Sequence, residues 1–120
     1  MKDFSRSDRL ASQLSRELSE VLHLHEQLPS GLMISVMEID LTKDLRYGKV
    51  YYSAFGKENA MEEAEKFFNE NSKQIRKALA SRVRVRYIPE LEYLFDPSIE
   101  RGQRISELLD KIKENNDEQQ

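Results

Sequence analysis

Apolar residues recur at helical spacing near the start of the chain. Leu10, Leu14, Leu18, Val21 and Leu22 fall on one side of a helix, with polar residues filling the other positions. Ser5 or Ser7 stands where an N-cap belongs. The pattern predicts a first helix over about residues 7–26, ended by the turn signal "LPSG" at Leu28–Gly31. The period then shifts to two. "MISVMEIDLT" and "GKVYYSAFG" are rich in β-branched and aromatic residues and roughly alternate, which predicts strands over about 33–42 and 48–55. The segment "KDLRYG" between them is short enough for a hairpin-like link, so an antiparallel pair is expected.

Helical periodicity returns with Ala60, Met61, Ala64, Phe67 and Phe68, opened by Asn59 and Glu62 as a capping box. The same face continues through Asn71 to Ile75, Ala78 and Leu79. Asn71 suits a core poorly, and with Gln74 it makes a second capping pair, so a break or kink is expected at Asn71–Ser72. The run "RVRVRY" divides. Continuing the helix past residue 82 swings Arg82 and Arg86 onto the apolar side. An extended chain instead puts Arg82, Arg84 and Arg86 on one side and Val83, Val85 and Tyr87 on the other. Pro89 also biases Ile88 toward extended geometry. The helix is therefore expected to end near Arg82, with an extended segment after it. "PELEYLFD" predicts a third strand with Leu91, Tyr93 and Phe95 on one face. Asp96 and Pro97 are a matched cap and first-turn pair for a last helix lined by Ile99, Ile105, Leu108, Leu109 and Ile112. The order is helix, strand, strand, helix, helix, strand, helix, an α+β chain with one small sheet. One domain over 1–113 and a polar tail over 114–120 are expected from the 120-residue length and the final "KENNDEQQ".

Composition narrows the chemistry. A domain of this size can hide roughly two thirds of its unfolded surface, enough for a real core. There is no cysteine, which excludes disulfides, thiolate metal sites and cysteine nucleophiles. No apolar run reaches the ~20 residues that span a bilayer, and "MKDFSRSDRL" lacks the apolar core of a signal peptide. A cytoplasmic protein with no membrane partner is expected. His23 and His25, the only histidines, point about 200° apart on a helix and cannot share a metal. No Ser/His/Asp ordering and no phosphate-cradling glycine loop is present, so the chain does not read as an enzyme, and no cofactor or metal is expected.

Charge is the informative feature. The formal net charge is -3, with Glu58, Glu62, Glu63, Glu65 and Glu70 against Lys66 alone across 58–70. Yet Lys73, Arg76, Lys77, Arg82, Arg84 and Arg86 follow with no acid between them. At 100° per residue, Lys73, Arg76, Lys77 and Arg84 share an arc of about 100° opposite Ile75 and Leu79. The bland interpretation is a solvated helix face balanced by the nearby glutamates. Nucleic-acid contact is favoured by the absence of acids at i±3 or i±4 within the block and by arginine's phosphate-matching fork. Tyr47, Tyr51, Tyr52 and Tyr87 could stack on bases, although strand tyrosines more often pack.

"IRKALASRVRVRYIPELEYLFDPSIERGQRISELL" resembles the ribosome-binding factor A family. The resemblance lies in Ile75–Arg76, in Arg86 followed by Pro89–Glu90–Leu91, in Asp96 with Ser98–Ile99–Glu100, and in Arg104–Ile105 with Leu108–Leu109. Upstream, Asp44, Leu45, Lys49, Val50 and Tyr51 match the family's strand pattern, and Arg6 and Arg9 its N-terminal arginines. The resemblance implies a type II KH-like fold, α-β-β-α-kink-α-β plus a C-terminal helix, without the usual GxxG loop. The family's Ala-x-Gly kink motif reads Asn71–Ser72–Lys73 here. It further implies a non-enzymatic, monomeric factor that binds the immature small (30S) ribosomal subunit and its 16S rRNA. Such a factor assists 5′-end processing and late maturation, matters most in the cold, and shares its particle with assembly GTPases.

The candidate RNA-contact residues are Arg76, Lys77, Arg84 and Arg86, with Lys73 and Arg82 beside them and Arg6, Arg9, Lys43 and Lys49 as outlying contacts. The alternative is a protein-only adaptor that docks an acidic partner on the same basic helix face. Binding that survives nuclease favours the adaptor, and co-sedimentation with free small subunits favours the assembly factor.

Overall fold

The structure is a computed structural model, and it describes residues 5–97. The expected last helix and the tail at 114–120 lie outside the described residues. The elements are α1 (Arg6–His23), β1 (Met33–Leu41), β2 (Tyr47–Phe55), α2 (Ala60–Arg82) and β3 (Glu90–Phe95). They form the expected α+β arrangement, with a three-stranded sheet in the order β1-β2-β3.

Ser5 caps α1 in a reciprocal box: its Oγ accepts from the Asp8 amide and the Asp8 carboxylate accepts from the Ser5 amide, both at 3.2 Å. The five apolar residues read from the pattern are all buried. The helix stops at His23, where Leu24 leaves the apolar face and stands 61% exposed. β1 and β2 pair antiparallel, with a register shift between Val36 and Glu38. β3 pairs parallel with β2, Tyr47 opposite Glu90 and Tyr52 opposite Phe95. Strand periodicity does not encode that direction. It follows from the crossover through α2, which returns the chain to the end of the sheet where β2 began.

The capping box expected at Asn59 and the break expected at Asn71–Ser72 are overturned. Asn59 sits at the N-cap position with φ -103° and ψ 37°, outside the extended geometry a capping side chain needs, and makes no cap bond. The helix also runs unbroken through Asn71 and Ser72. Asn71 is buried at 7% exposure, and its Nδ2 donates to the Phe67 carbonyl at 2.9 Å. The amide is satisfied one turn back along its own helix, so it does not need to start a new one. Met61, expected on the apolar face, is 43% exposed.

The end of α2 is as expected. Val83 is extended at φ -117° and ψ 127°, with its amide still bonded to Leu79. The alternation beyond it fails. Val83 is buried, but Val85 is 37% and Tyr87 72% exposed. The segment bends at Arg86–Tyr87 instead of continuing as a strand, and buries Ile88 and Pro89.

Both helices cover one face of the sheet. Leu14 and Leu18 of α1 and Ile75 and Leu79 of α2 pack over Val50 and Tyr52. Phe68 lies 4.7 Å from the Tyr52 ring and stacks on Tyr93 at 4.1 Å. Burial raises the phenol of Tyr52, and that of Tyr93 is pushed up to about 12. The loops before β1 and after β2 meet at Gly31 and Gly56, with φ of 83° and 97°. A side chain on Gly56 would run into the Gly31 carbonyl, so this joint requires glycine.

Candidate nucleic-acid interface

The basic block is divided by the core it leans on. Ile75 and Leu79 are fully buried, which turns Lys73, Arg76 and Lys77 outward. Arg76 Nη2 donates to the Ile88 carbonyl at 2.8 Å, tying the helix to the loop before β3. With Ile88 and Pro89 buried, the loop presents Arg84, Arg86 and Tyr87 to solvent. The Arg86 guanidinium carbon lies 5.9 Å from the centre of the Tyr87 ring.

A second wall comes from the turn between β1 and β2. Asp44 Oδ1 accepts from Thr42 Oγ1 at 2.7 Å and from the Arg46 amide at 3.1 Å. These bonds hold the Asp44 carboxyl below its ordinary value, the Thr42 hydroxyl contributing most. Leu45 takes φ 61°, a left-handed conformation that costs a non-glycine residue of order 1 kcal/mol or more. The Arg46 carbonyl accepts from the Glu90 amide at 2.8 Å, locking this turn to the start of β3.

The two walls and the first turns of α1 enclose a groove of about 750 Å³. Among the described residues, Arg6, Arg46, Arg76, Arg84 and Arg86 line it, against Asp44 and Glu90 as the only carboxylates and with no lysine. Tyr47 and Tyr87 also line it, 55% and 72% exposed. Alongside is a smaller depression of about 180 Å³ holding Lys73 and Tyr93 and sharing Arg76. The Arg76 charge opposes, without overcoming, the upward push of burial on Tyr93.

The structure thus gathers Arg6, Arg76, Arg84 and Arg86, places Lys73 next to them, and leaves Lys77 exposed on α2. It adds Arg46, which in sequence is only part of a connection; a cation between two strands and next to an exposed tyrosine is the available signal. Arg82 is placed differently. Its Nη1 lies 3.3 Å from Glu17 Oε2 and 3.2 Å from Glu20 Oε2, clamping α2 to α1. These partners stand more than sixty positions away in sequence, beyond any i±4 pattern. Arg9 and Lys43 are exposed outside the groove. Lys49 sits on the outer sheet face, in register between Asp40 and Glu92.

The glutamates lie elsewhere. Glu62, Glu63 and Glu70 border a separate cleft with Lys57 and Lys66, and pair there as Lys57–Glu63 at 2.8 Å and Lys66–Glu70 at 4.0 Å. His25 rests edge-on against Phe67 at 5.0 Å while His23 is exposed. Among the described residues no group of three His, Cys, Asp or Glu could hold a metal ion, and no helix is long and apolar enough to cross a membrane.

Known proteins match the chain along most of its length. The family profile described as ribosome-binding factor A matches residues 6–109. A ribosome-binding factor A from Clostridium tetani is 40% identical over 113 residues, 93% of each chain. The crystal structure of ribosome-binding factor A from Thermus thermophilus superposes with a TM-score of 0.62 at 32% identity, covering 74% of this chain and 93% of that one. A homology model of the Thermus thermophilus factor fitted into the cryo-EM map of a 30S complex gives a TM-score of 0.61 at 32% identity, covering 72% and 91%. With a family profile over residues 6–109 and a relative 40% identical over 93% of each chain, the chain belongs to the ribosome-binding factor A family.

Proposed function

We propose that the protein is a non-enzymatic assembly factor that binds the immature 30S subunit through 16S rRNA and assists 5′-end processing and late maturation. The observation that carries this reading is the groove: five arginines converge from three separate parts of the chain on one concave surface. Such a cluster is electrostatically costly unless an anion fills it, and guanidinium forks match phosphate. A family relative standing on a 30S particle supports the same reading. Arg6, Arg46, Arg76, Arg84 and Arg86 form the centre of the contact face, flanked by Lys73 and Lys77, with Arg9, Lys43 and Lys49 outlying, while Arg82 is held by Glu17 and Glu20. In this reading the protein works as a monomer in the cytoplasm and shares the particle with assembly GTPases.

Arg76 is bonded to the Ile88 carbonyl, so reversing its charge disturbs the fold as well as the surface. Arg84 and Arg86 pair with no carboxylate among the described residues and give the cleaner test. The double reversal Arg84→Glu/Arg86→Glu is expected to abolish co-sedimentation with free small subunits while far-UV circular dichroism stays unchanged. Nuclease treatment of the subunits should release the wild-type protein. A folded double variant that sediments like the wild type refutes the assignment of this face, and nuclease-resistant binding favours a protein-only adaptor.

A further inference from the structure

We propose that the arginine groove takes an unpaired nucleotide base stacked on the exposed rings of Tyr87 and Tyr47, so that its ligand is single-stranded RNA and not a duplex. This rests on the RNA-binding reading of the same face. The structure sorts the tyrosines into two kinds. Tyr52 is 2% exposed and, with Tyr93, packs against Phe68. Tyr47 and Tyr87 instead leave most of their surface in water, and both line the groove that, among the described residues, gathers five arginines. Isolated exposed rings are ordinary. Two of them converging on one concave, strongly cationic recess form the combination by which single strands are held, with phosphates on the cations and bases on the rings.

Shape and cation type argue the same way. The groove's volume of about 750 Å³ is the size of a small-ligand site. A duplex hides the faces of its bases inside the stack and offers a recess only its backbone. The absence of lysine matters too, because a guanidinium can lie flat on a base or a ring, whereas an ammonium is a hydrated point charge. The Arg86 guanidinium carbon already lies 5.9 Å from the centre of the Tyr87 ring, within cation–π reach. The walls are fixed before any ligand arrives, by Arg76 on Ile88 and by Glu90 on Arg46.

The test measures fluorescence anisotropy of a short labelled single-stranded RNA, and of a duplex of the same sequence, across a salt series. The wild type should bind the single strand more tightly than the duplex. Tyr87→Ala and Tyr47→Ala should each weaken single-strand binding about 5- to 150-fold, the range expected for loss of one stacked base. The slope of log affinity against log salt should stay the same, since no phosphate contact is removed. Tyr87→Phe should bind like the wild type, because stacking needs the ring and not the hydroxyl. Equal affinity for strand and duplex, wild-type binding by both alanine variants, or a loss that also flattens the salt slope would each overturn the proposal. Sedimentation with small subunits, run in parallel, separates the two readings. A wild type that sediments but shows no tyrosine-dependent strand binding removes the stacking site and leaves the assembly reading. A wild type that binds the strand through its tyrosines yet does not sediment does the reverse.

Discussion

Arg82 and Arg84 are two residues apart in one acid-free run, and the structure places them in opposite settings. Arg82 reaches Glu17 and Glu20 of α1 at 3.3 and 3.2 Å, while Arg84 opens onto the groove. The side chains of the Arg82 clamp are 32%, 28% and 58% exposed, so solvent screens both pairs. Pairs of this kind contribute about 0.2–1 kcal/mol each, and these two share a single nitrogen, so they do not add fully. Loss of packing along the arginine stem adds a little. Arg82→Ala should therefore cost about 1 kcal/mol, a fall in melting temperature of roughly 4 °C for a domain of this size. Its salt slope for RNA binding should not change. Arg84→Ala should change stability by less than ~0.5 kcal/mol and flatten the salt slope by about 0.7. Thermal melts and anisotropy titrations on both variants provide the comparison. A double-mutant cycle of Arg82→Ala with Glu17→Ala isolates the coupling across the helices. If Arg82→Ala keeps the wild-type melting temperature and flattens the slope as Arg84→Ala does, the division of labour is wrong.

Asn71→Ala should be within about 0.5 kcal/mol of the wild type by urea unfolding. The lost bond to the Phe67 carbonyl, about 1 kcal/mol net, is offset by alanine's better helix propensity and leaves no orphaned acceptor, because that carbonyl keeps its helical partner. A loss well above 1 kcal/mol would show that the buried bond to Phe67 and the packing of the Asn71 side chain are not offset by helix propensity. For Tyr93, burial raises the folded phenol from its ordinary 10.0 to about 12. Its contribution is therefore fully present below pH 10 and is lost as pH rises toward 12, about 2–3 kcal/mol in all. Tyr93→Phe should flatten the alkaline limb of the stability curve between those values, and an unchanged limb would show that the phenol is not buried in the folded state.

The elements were legible in the sequence because each carries its own period. The leucines of α1 and the β-branched runs of β1 and β2 allow one placement each, and Arg82 marks the end of α2 because the next turn would bury two arginines. Local rules failed where a distant or satisfied partner decided the outcome. Asn71 with Gln74 matches a capping box by spacing, yet the buried amide bonds backward to Phe67 and the helix continues. Arg82 has no acid within a helical turn, yet it finds two on another helix. The groove was half legible for the same reason. Arg84 and Arg86 stand together in sequence, but Arg46 joins them only through its carbonyl's bond to Glu90. The parallel pairing of β3 and the outward turn of Tyr87 depend on how the chain returns across the sheet, and neither has a local period.

The bond from Glu90 to Arg46 has a further consequence for how the protein is kept in the cell. It joins the β1–β2 turn to the start of β3, and the groove's arginines reach the same place from α1 and from the end of α2. No stretch of the unfolded chain holds all five arginines in that arrangement, so a ligand that needs the whole groove binds the native state more tightly than the unfolded one. By mass action such a ligand adds RT ln(1 + [L]/Kd) to stability, about 2.7 kcal/mol when present at a hundred times its dissociation constant. Unoccupied copies lack that increment and visit the unfolded, protease-sensitive state about a hundred times more often. Under the proposed function, the number of surviving molecules would follow the number of binding sites on offer, a form of stock control that requires no regulator.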